Sequence, residues 1–234
     1  MSIITFKNVT KIYSGRPIVS NVSFAIQKGE RCGILGPVGS GKTTLLNLTT
    51  GIITPDRGIV SVFGASMANR PLPILQKINV ASASSRLSGY SSVMENLLTY
   101  CRLYSVARPM EKIESLVRAL KIRRLVFSGI KVYRLSTGEN LMINLCKALL
   151  NDPELLLLDE ITSHLDPQST KTVLLMIKQL SVSRAVTILF ASQQVADVAF
   201  LCKRFLLLQG GKVIHDGTIV NKNTLTPLYV QREK

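Results

Sequence analysis

Nine residues near the start of the chain have the types and spacing needed to hold a row of phosphate groups. They run Gly36-Pro37-Val38-Gly39-Ser40-Gly41-Lys42-Thr43-Thr44 and fit the pattern G-x-x-x-x-G-K-[ST]. The backbone N–H groups of such a loop point inward, and a following helix adds the positive end of its dipole. The pattern predicts that Lys42 reaches the β- and γ-phosphates and that the Thr43 hydroxyl binds Mg²⁺. All nine residues are therefore candidate nucleotide-binding residues.

A second candidate group lies more than one hundred residues further along the chain. Four consecutive leucines at 155–158 are followed by Asp159 and Glu160. This run predicts a buried parallel strand whose carboxylates stand at its C-terminal end, the edge at which open α/β sheets bind ligands. Asp159 can hold Mg²⁺ through water, and Glu160 can orient and polarise an attacking water molecule. Together with the glycine-rich loop, the pair favours nucleotide hydrolysis over a strand that merely ends in solvated acids.

The flanking segments are those that a phosphate-binding loop requires. The apolar stretch Arg31–Leu35 predicts a buried strand directly before the loop. The leucines of 42–50 predict a helix directly after it, and Gly51 stands where a glycine commonly ends a helix. This strand–loop–helix context argues against a chance glycine-rich turn.

The rest of the chain predicts a nucleotide-hydrolase fold with one inserted block. Periodicity and turn residues predict strands at 3–9, 18–26, 59–63, 185–191, 205–209 and 212–215, and helices at 93–106, 110–120, 140–150, 166–180 and 195–201. Residues 66–92 show no clear pattern. We therefore expect an α/β P-loop nucleotide hydrolase core with an N-terminal antiparallel β layer and an inserted helical subdomain at about 90–150. The predicted domain covers 1–220, and 221–234 are expected to form a polar tail.

Composition narrows the class of protein. The 234 residues are 46% apolar, which suits one domain with a large core. The four cysteines are widely spaced and form no C-x-x-C pair, so neither a disulfide framework nor a zinc site is expected, and reduced thiols in the cytosol fit best. The N-terminus does not resemble a signal peptide. No uncharged apolar run approaches 18 residues, so we expect that the chain cannot span a membrane by itself.

The chain carries a formal net charge of +15. Such an excess is compatible with nucleic acid, with anionic lipid headgroups or with a generally basic proteome. Six basic residues crowd into one segment: Arg118, Lys121, Arg123, Arg124, Lys131 and Arg134. We favour a solvated helix face here, because the aromatic platforms of single-strand binders are missing, and keep a surface facing the cytoplasmic leaflet as the functional alternative.

The segment Leu135-Ser136-Thr137-Gly138-Glu139 resembles the L-S-G-G-Q signature of the ATP-binding cassette (ABC) family. By itself it would be an ordinary helix start with Ser136 as the N-terminal cap. It lies about twenty residues before Asp159 and Glu160, and this spacing makes the resemblance specific. The resemblance covers nearly the whole chain. It implies that Ser136 and Gly138 contact the γ-phosphate of an ATP held by a second subunit in a head-to-tail dimer. Thr137 and Glu139, in the same segment, are candidate ATP-binding residues as well.

Other positions follow the family pattern or depart from it. Tyr13 stands where the family keeps an aromatic residue that stacks on adenine, and 163–166 resemble the loop that links the two sites of the dimer. Two positions depart from the family pattern: this chain has Ala83 where the family has a glutamine, and Gln193 where the family has a histidine. We expect one of the serines of 82–85 and Gln193 to act as weaker substitutes for these two residues, which implies slow turnover. Ile161 replaces a usual proline. We interpret His164 as a solvated loop histidine and His215, on a late strand, as structural.

The expected function is ATP binding and hydrolysis as the subunit of an ABC transporter of exporter type, with ATP and Mg²⁺ as ligands. The implied partners are a separate transmembrane permease and a second copy of this chain or a related subunit. The implied docking surface for the permease is 86–95, and the implied location is the cytoplasmic face of the cell membrane. Two alternatives stay open: a degenerate cassette that binds ATP and regulates a partner, and a soluble ATPase acting on nucleic acid. The second is less expected, because the spacing of the motifs leaves no room for a long coiled coil.

Overall fold

The structure is a computed structural model that describes residues 1–69, 71–82, 85, 87–163, 165–183 and 185–219. In chain order the strands are β1 (Ser2–Tyr13), β2 (Arg16–Gln27), β3 (Arg31–Leu35), β4 (Arg57–Val62), β5 (Ala65–Ser66), β6 (Ile78–Ser82), β7 (Leu155–Asp159), β8 (Thr187–Ser192), β9 (Arg204–Gln209) and β10 (Lys212–Thr218). The α-helices are α1 (Lys42–Thr49), α2 (Leu72–Leu75), α3 (Val93–Leu103), α4 (Pro109–Leu120), α5 (Arg123–Phe127), α6 (Thr137–Ala148), α7 (Pro167–Ser183) and α8 (Val195–Leu201).

The N-terminal strands form a four-stranded sheet in the order β2-β1-β4-β5, in which neighbours pair antiparallel. Strands β1 and β2 place most of their apolar side chains on one buried face, as expected of a sheet with one solvated side. Phe6 and Phe24 face each other across the pair with their rings stacked 4.5 Å apart. The predicted antiparallel layer is thus confirmed.

The second sheet has six strands in the order β10-β9-β3-β8-β7-β6. Strands β9, β3, β8, β7 and β6 run parallel, and β10 adds to the edge antiparallel. Their register brings four strand ends to one edge, since Leu35 pairs with Ser192, Asp159 with Ala191, and Ser82 with Asp159. The predicted site residues therefore start from neighbouring positions.

The central sheet is buried on both faces, which explains the unbroken apolar character of its strands. Leu155 and Leu157 pack into the core shared with the antiparallel sheet and α1. Leu156 and Leu158 point the other way, into the core shared with helices α3 to α8. The alternation of side chains along a strand thus divides four identical residues between two cores.

Several predicted elements need correction. Residues 66–92 are not irregular throughout, because they contain α2 and the parallel strand β6. Helix α5 was not predicted, and α3 ends at Leu103 rather than at 106. Helix α6 begins at Thr137, directly after the N-terminal cap that the sequence suggests at Ser136, and Ser136 and Glu139 form a capping box there.

Helices α3 to α6 follow one another between β6 and β7. The division of 1–220 into a core and a helical subdomain at 90–150 stays a prediction. The predicted tail at 221–234 lies outside the described residues. Among the helices that the structure describes, none combines the length and the apolar character needed to cross a bilayer.

Candidate functional site

The phosphate loop, defined here as residues 36–44, connects β3 to α1 and is shaped by close backbone contacts. A Cβ atom at Gly36 would collide with the carbonyl oxygen of Leu208 on the neighbouring strand β9. Gly41 has a φ of +105° and lies directly against the carbonyl of Ile18, so a side chain there would be both strained and obstructed. The loop can therefore follow this path only with glycine at these two positions.

Lys42 is buried at the centre of the loop. Its Nζ donates hydrogen bonds to the carbonyls of Gly36 at 2.8 Å and Pro37 at 3.0 Å, and it forms an ion pair with Glu160 Oε1 at 3.1 Å. The ammonium group is thus surrounded by oxygen atoms. Since a triphosphate offers the same kind of partner, phosphate oxygens can replace these contacts.

Thr43 and Asp159 are brought together although they lie on different elements. The Thr43 hydroxyl donates to Asp159 Oδ2 at 3.0 Å, and Oδ1 of the same carboxylate is buried with no hydrogen-bond partner among the described residues. Burial, opposed by the Thr43 hydrogen bond, raises the pKa of Asp159 above its ordinary value. Asp159 Oδ1 is therefore available to bind a cation.

These oxygens fit Mg²⁺. The described ranges hold no group of three or more His, Cys, Asp or Glu side chains placed to bind a metal ion. Mg²⁺ commonly binds through one or two protein oxygens and completes its shell with water and substrate phosphates. The Thr43 hydroxyl and Asp159 Oδ1 provide such a partial set.

Glu160 follows Asp159 in an unusual backbone conformation. Its φ is +50°, and its N–H donates to the carbonyl of Ala191 at 3.0 Å. One carboxylate oxygen pairs with Lys42, and the other is buried without a partner in the described part of the chain. The left-handed backbone at this point turns the carboxylate towards the phosphate loop.

A single cleft of about 690 Å³ joins these groups. Its lining includes Tyr13, Ile18, Val38, Gly39, Gly41, Lys42, Thr43, Thr44, Ser82, Asp159, Glu160, Ser163 and Gln193. The predicted residues Gly36, Pro37 and Ser40 lie in the same loop, where the buried Ser40 hydroxyl has no partner among the described residues. Most predicted nucleotide-binding residues therefore meet around one space.

Tyr13 lies at the end of β1 and is 44% exposed at the cleft. Lys11 Nζ lies 5.5 Å from the centre of its ring and 3.3 Å from Asp56. A flat ring held in this way at the mouth of a phosphate-binding cleft can stack on a nucleobase.

Residues 135–139, called here the signature segment, do not line this cleft. Ser136 is the N-terminal cap of α6, its hydroxyl accepts from the Glu139 N–H at 3.2 Å, and its own N–H donates to Glu139 Oε2 at 2.9 Å. A Cβ atom on Gly138 would lie 3.5 Å from Leu165, in the loop after β7. The structure thus places these residues, together with Thr137, apart from the phosphate loop of the same chain.

Sequence reasoning did not assign three of the lining residues to the site: Ile18, Ser82 and Ser163. Ser163 was named only as part of the loop 163–166. Ile18 lines the cleft because β2 passes beside the phosphate loop, a contact for which the sequence carries no signal. Ser82 was one of several serines considered near the end of β6, and the register now puts it beside Asp159. The predictions for Ala83 and His164 fall on residues outside the described ranges.

Comparison with known proteins gives consistent results. Residues 19–163 match the family of ABC transporters. The chain is 33% identical over 220 residues to Nod factor export ATP-binding protein I of Burkholderia orbicola (strain AU 1054), covering 92% of this chain and 70% of that protein. It is 32% identical over 218 residues to linearmycin resistance ATP-binding protein LnrL of Bacillus subtilis (strain 168), covering 91% of this chain and 68% of that protein. A relative from Neorhizobium galegae is 33% identical over 216 residues, and the match spans 92% of this chain but only 61% of the relative.

Solved structures show the same fold. An ATP-binding subunit of an ABC transporter superposes with a TM-score of 0.87 at 22% identity, with complete coverage of both chains. A dimeric ATP-binding cassette in a post-hydrolysis state bound to ADP and Pi gives a TM-score of 0.82 at 23% identity, covering 93% of this chain and 99% of that one.

Proposed function

The chain is an ATPase that belongs to the ABC transporter family, and we propose that it drives an exporter whose membrane-spanning subunit is a separate chain. The observation that carries this proposal is the convergence of Lys42, Thr43, Asp159 and Glu160 on one cleft. The names of relatives, which include Nod factor export and linearmycin resistance proteins, support the exporter type.

The contacts of Lys42 suggest how nucleotide binding prepares the site. Lys42 forms an ion pair with Glu160. Phosphates that enter the loop offer Lys42 stronger partners and release the Glu160 carboxylate. The released carboxylate can then orient a water molecule and accept its proton, while the phosphate loop fixes the γ-phosphate.

The remaining polar groups stabilise charge around the γ-phosphate. The Gln193 amide can donate a hydrogen bond but carries no positive charge. Thr43 and Asp159 would hold Mg²⁺, which supplies charge neutralisation at the phosphates when bound. This arrangement supports hydrolysis whose rate is limited by the neutral Gln193.

The separation of Ser136 and Gly138 from the phosphate loop supports a second part of the proposal. We infer that the signature segment of one copy completes the cleft of another in a head-to-tail dimer. A serine hydroxyl, a glycine that permits close backbone approach and the start of α6 make a suitable phosphate contact. The partner is a second copy or a related subunit.

The membrane partner and the location belong to the same proposal. We infer that a permease docks on the surface around 86–95, of which the structure describes 87–95, and holds the ATPase at the cytoplasmic face of the membrane. In that arrangement, closure of the dimer on ATP and its opening after hydrolysis would move the permease.

The test is steady-state turnover of Mg²⁺-ATP by the purified chain over a series of protein concentrations, beside Glu160→Gln. We expect turnover that rises faster than linearly with protein concentration, and a loss of about a thousandfold in the variant with ATP binding retained, as for removal of a key catalytic group. Equal turnover by the two proteins would overturn the role of Glu160.

A second candidate function is a regulatory cassette that binds ATP and leaves hydrolysis to a related partner. Gln193 favours it, because a neutral amide stands where the family resemblance places a histidine. Tight ATP binding without turnover at every protein concentration, followed by turnover when a related subunit is added, would select this alternative.

A further inference from the structure

A basic corner of the helical region has no role in the ATP cleft. It consists of Arg118 near the end of α4, Lys121 in the turn, and Arg123 and Arg124 on α5, and we call these four residues the basic ridge. All four are exposed, while Ile122 between them is buried. The ridge is thus a fixed surface feature rather than a loose charged loop.

The ridge is not neutralised by its surroundings. Between Glu114 and Glu139 the chain carries six basic residues and no acidic residue. None of the four ridge side chains forms an ion pair with another described residue. Glu111 pairs instead with Arg108. A field of one sign therefore extends from this corner into solvent.

An exposed aromatic ring accompanies the charges. Phe127 ends α5 with 40% of its surface exposed, and the Arg123 guanidinium lies 5.1 Å from the centre of its ring. Basic side chains beside an aromatic ring are typical of protein surfaces that lie at the headgroup level of a bilayer.

The ridge is continuous with the surface proposed above for the permease. The Val93 N–H donates to the carbonyl of Ile130 at 3.1 Å, and the Val132 N–H donates to the carbonyl of Ser91 at 3.2 Å. Lys131 pairs with Glu95 at 3.6 Å. The segment that leaves α5 is thus bonded directly to 87–95.

We propose that the basic ridge binds the anionic phospholipid headgroups of the membrane in which the permease sits. This inference rests on the proposed docking surface. Clusters of four or more Lys and Arg residues bind anionic leaflets by charge. Single-stranded nucleic acid is less favoured, because such binders stack successive bases on several aromatic rings, whereas the ridge residues of the described structure contact one ring, that of Phe127, through Arg123. Binding would orient the ATPase beside its permease.

The test uses the full chain and sedimentation with vesicles of phosphatidylcholine alone or mixed with phosphatidylglycerol, at about 0.15 M salt. The ridge variant carries Gln at positions 118, 121, 123 and 124. The control variant carries Gln in place of four other exposed basic residues without an ion pair in the described structure: Lys7, Arg57, Lys203 and Lys212. Both variants lower the net charge by four, from +15 to +11.

We expect the wild-type chain and the control variant to bind the anionic vesicles only. One basic side chain near an anionic surface contributes about fivefold in affinity, so the ridge variant should lose about a hundredfold or more. An equal loss in both variants would show that only net charge matters and would overturn the inference. Failure of the wild-type chain to bind, or tighter binding to single-stranded RNA that depends on the ridge, would also overturn it.

ATP turnover measured on the same samples separates this inference from the proposed function. The ridge lies outside the ATP cleft, so the ridge variant should hydrolyse ATP at the wild-type rate in the absence of vesicles. Normal turnover of the wild-type chain with no vesicle binding would contradict only the inference that the basic ridge binds lipid. Absence of turnover in the wild-type chain would contradict the proposed hydrolytic function.

Discussion

At the scale of single residues, the neutral side chain of Gln193 limits how strongly the cleft can stabilise the negative charge of the γ-phosphate. It lies at the end of β8 and lines the cleft beside Glu160. A protonated histidine could donate a charge-assisted hydrogen bond to the γ-phosphate, which is roughly twice as strong as a neutral one. We therefore expect Gln193→His to raise ATP turnover by about tenfold, which corresponds to about 1.4 kcal/mol of barrier. Steady-state hydrolysis at saturating ATP measures this.

The neighbouring Gln194 provides a matched control for that variant. It is exposed and stands at the N-terminal cap of α8 rather than within the cleft lining. Gln194→His should leave turnover within about twofold of the wild-type rate, as for surface changes with a small effect on free energy. If Gln193→His were as inert as the control, the neutral amide would already be an adequate substitute.

Asp159 is placed to bind Mg²⁺, but its buried carboxylate lowers the free energy of unfolding of the chain. Burial raises the pKa of its carboxyl, so ionisation in the folded chain costs free energy that the unfolded chain does not incur. The wild-type free energy of unfolding should accordingly fall as the pH rises through the range between the unfolded and folded pKa values. Asp159→Asn should stabilise the nucleotide-free chain by about 1 kcal/mol at neutral pH.

Thermal or denaturant unfolding at several pH values tests this effect. The stability gain of Asp159→Asn should shrink as the pH falls and the wild-type carboxyl becomes neutral. The same variant should lose Mg²⁺-dependent ATP turnover. A gain in stability that is independent of pH would assign the effect to packing rather than to the buried charge.

The individual residues of the candidate site were easier to predict from the sequence than the elements that carry them. The phosphate loop and the pair Asp159 and Glu160 follow from their motifs, because the chemistry fixes both residue type and spacing. Ile18 could not be predicted in the same way. Its place in the cleft depends on how β2 passes the phosphate loop, which is decided by tertiary packing.

At the scale of elements, a chain of hydrogen bonds joins helix α6 to the edge of the cleft. Asn144 is buried in α6, and its Nδ2 donates to the carbonyl of Ser85 at 3.2 Å. The Ser85 N–H in turn donates to the carbonyl of Ser82, which lines the cleft. The helix that begins with the signature segment is thus tied to the end of β6.

We expect Asn144→Ala to loosen this tie. The variant should lose about 1–3 kcal/mol of stability, because the part-buried carbonyl of Ser85 loses its donor. ATP turnover should fall severalfold while ATP binding stays unchanged. Turnover and nucleotide affinity are measured separately on the same protein.

Asn96 offers a control of the same residue type in the same region. It is buried in α3, and its side chain bonds the backbone of Ser88 and Ser92 rather than the cleft edge. Asn96→Ala should cost similar stability but leave the turnover of the isolated chain unchanged. Equal losses of turnover in the two variants would point to a general effect of destabilisation.

Elements were predictable where their apolar pattern was strong. Strand β7 is a row of leucines and was located directly, but β6 was missed because Ile78–Ser82 places Asn79 and Ser82 inside a short parallel strand. Asn79 is accommodated by a hydrogen bond to Asn151 at 2.9 Å. Helix α5 has only five residues, which is too short for a helical period to appear in the sequence.

At the scale of the whole molecule, each chain carries two separated halves of a proposed ATP site. One half is the cleft with Lys42 and Glu160, and the other is the start of α6 with Ser136 and Gly138. A head-to-tail dimer would join the halves of different chains. Two different inactive chains should then restore each other's activity.

We expect Glu160→Gln and Gly138→Asp each to abolish turnover alone and to recover it when mixed. In a mixed dimer, one site combines the intact cleft of the Gly138→Asp chain with the intact signature segment of the Glu160→Gln chain. Random pairing makes half of all dimers mixed, each with one of two sites intact, so recovery should approach about a quarter of the wild-type rate. Steady-state turnover at a fixed total protein concentration measures it.

The control mixes two variants whose defects lie in the same half of the site. Glu160→Gln and Asp159→Asn both damage the cleft, so no arrangement of these two chains creates an intact composite site. Recovery in this mixture would mean that the variants are restored by something other than shared sites. Absence of recovery in the Gly138→Asp mixture, with both chains folded and able to bind ATP, would show that the signature segment does not act on the cleft of another copy.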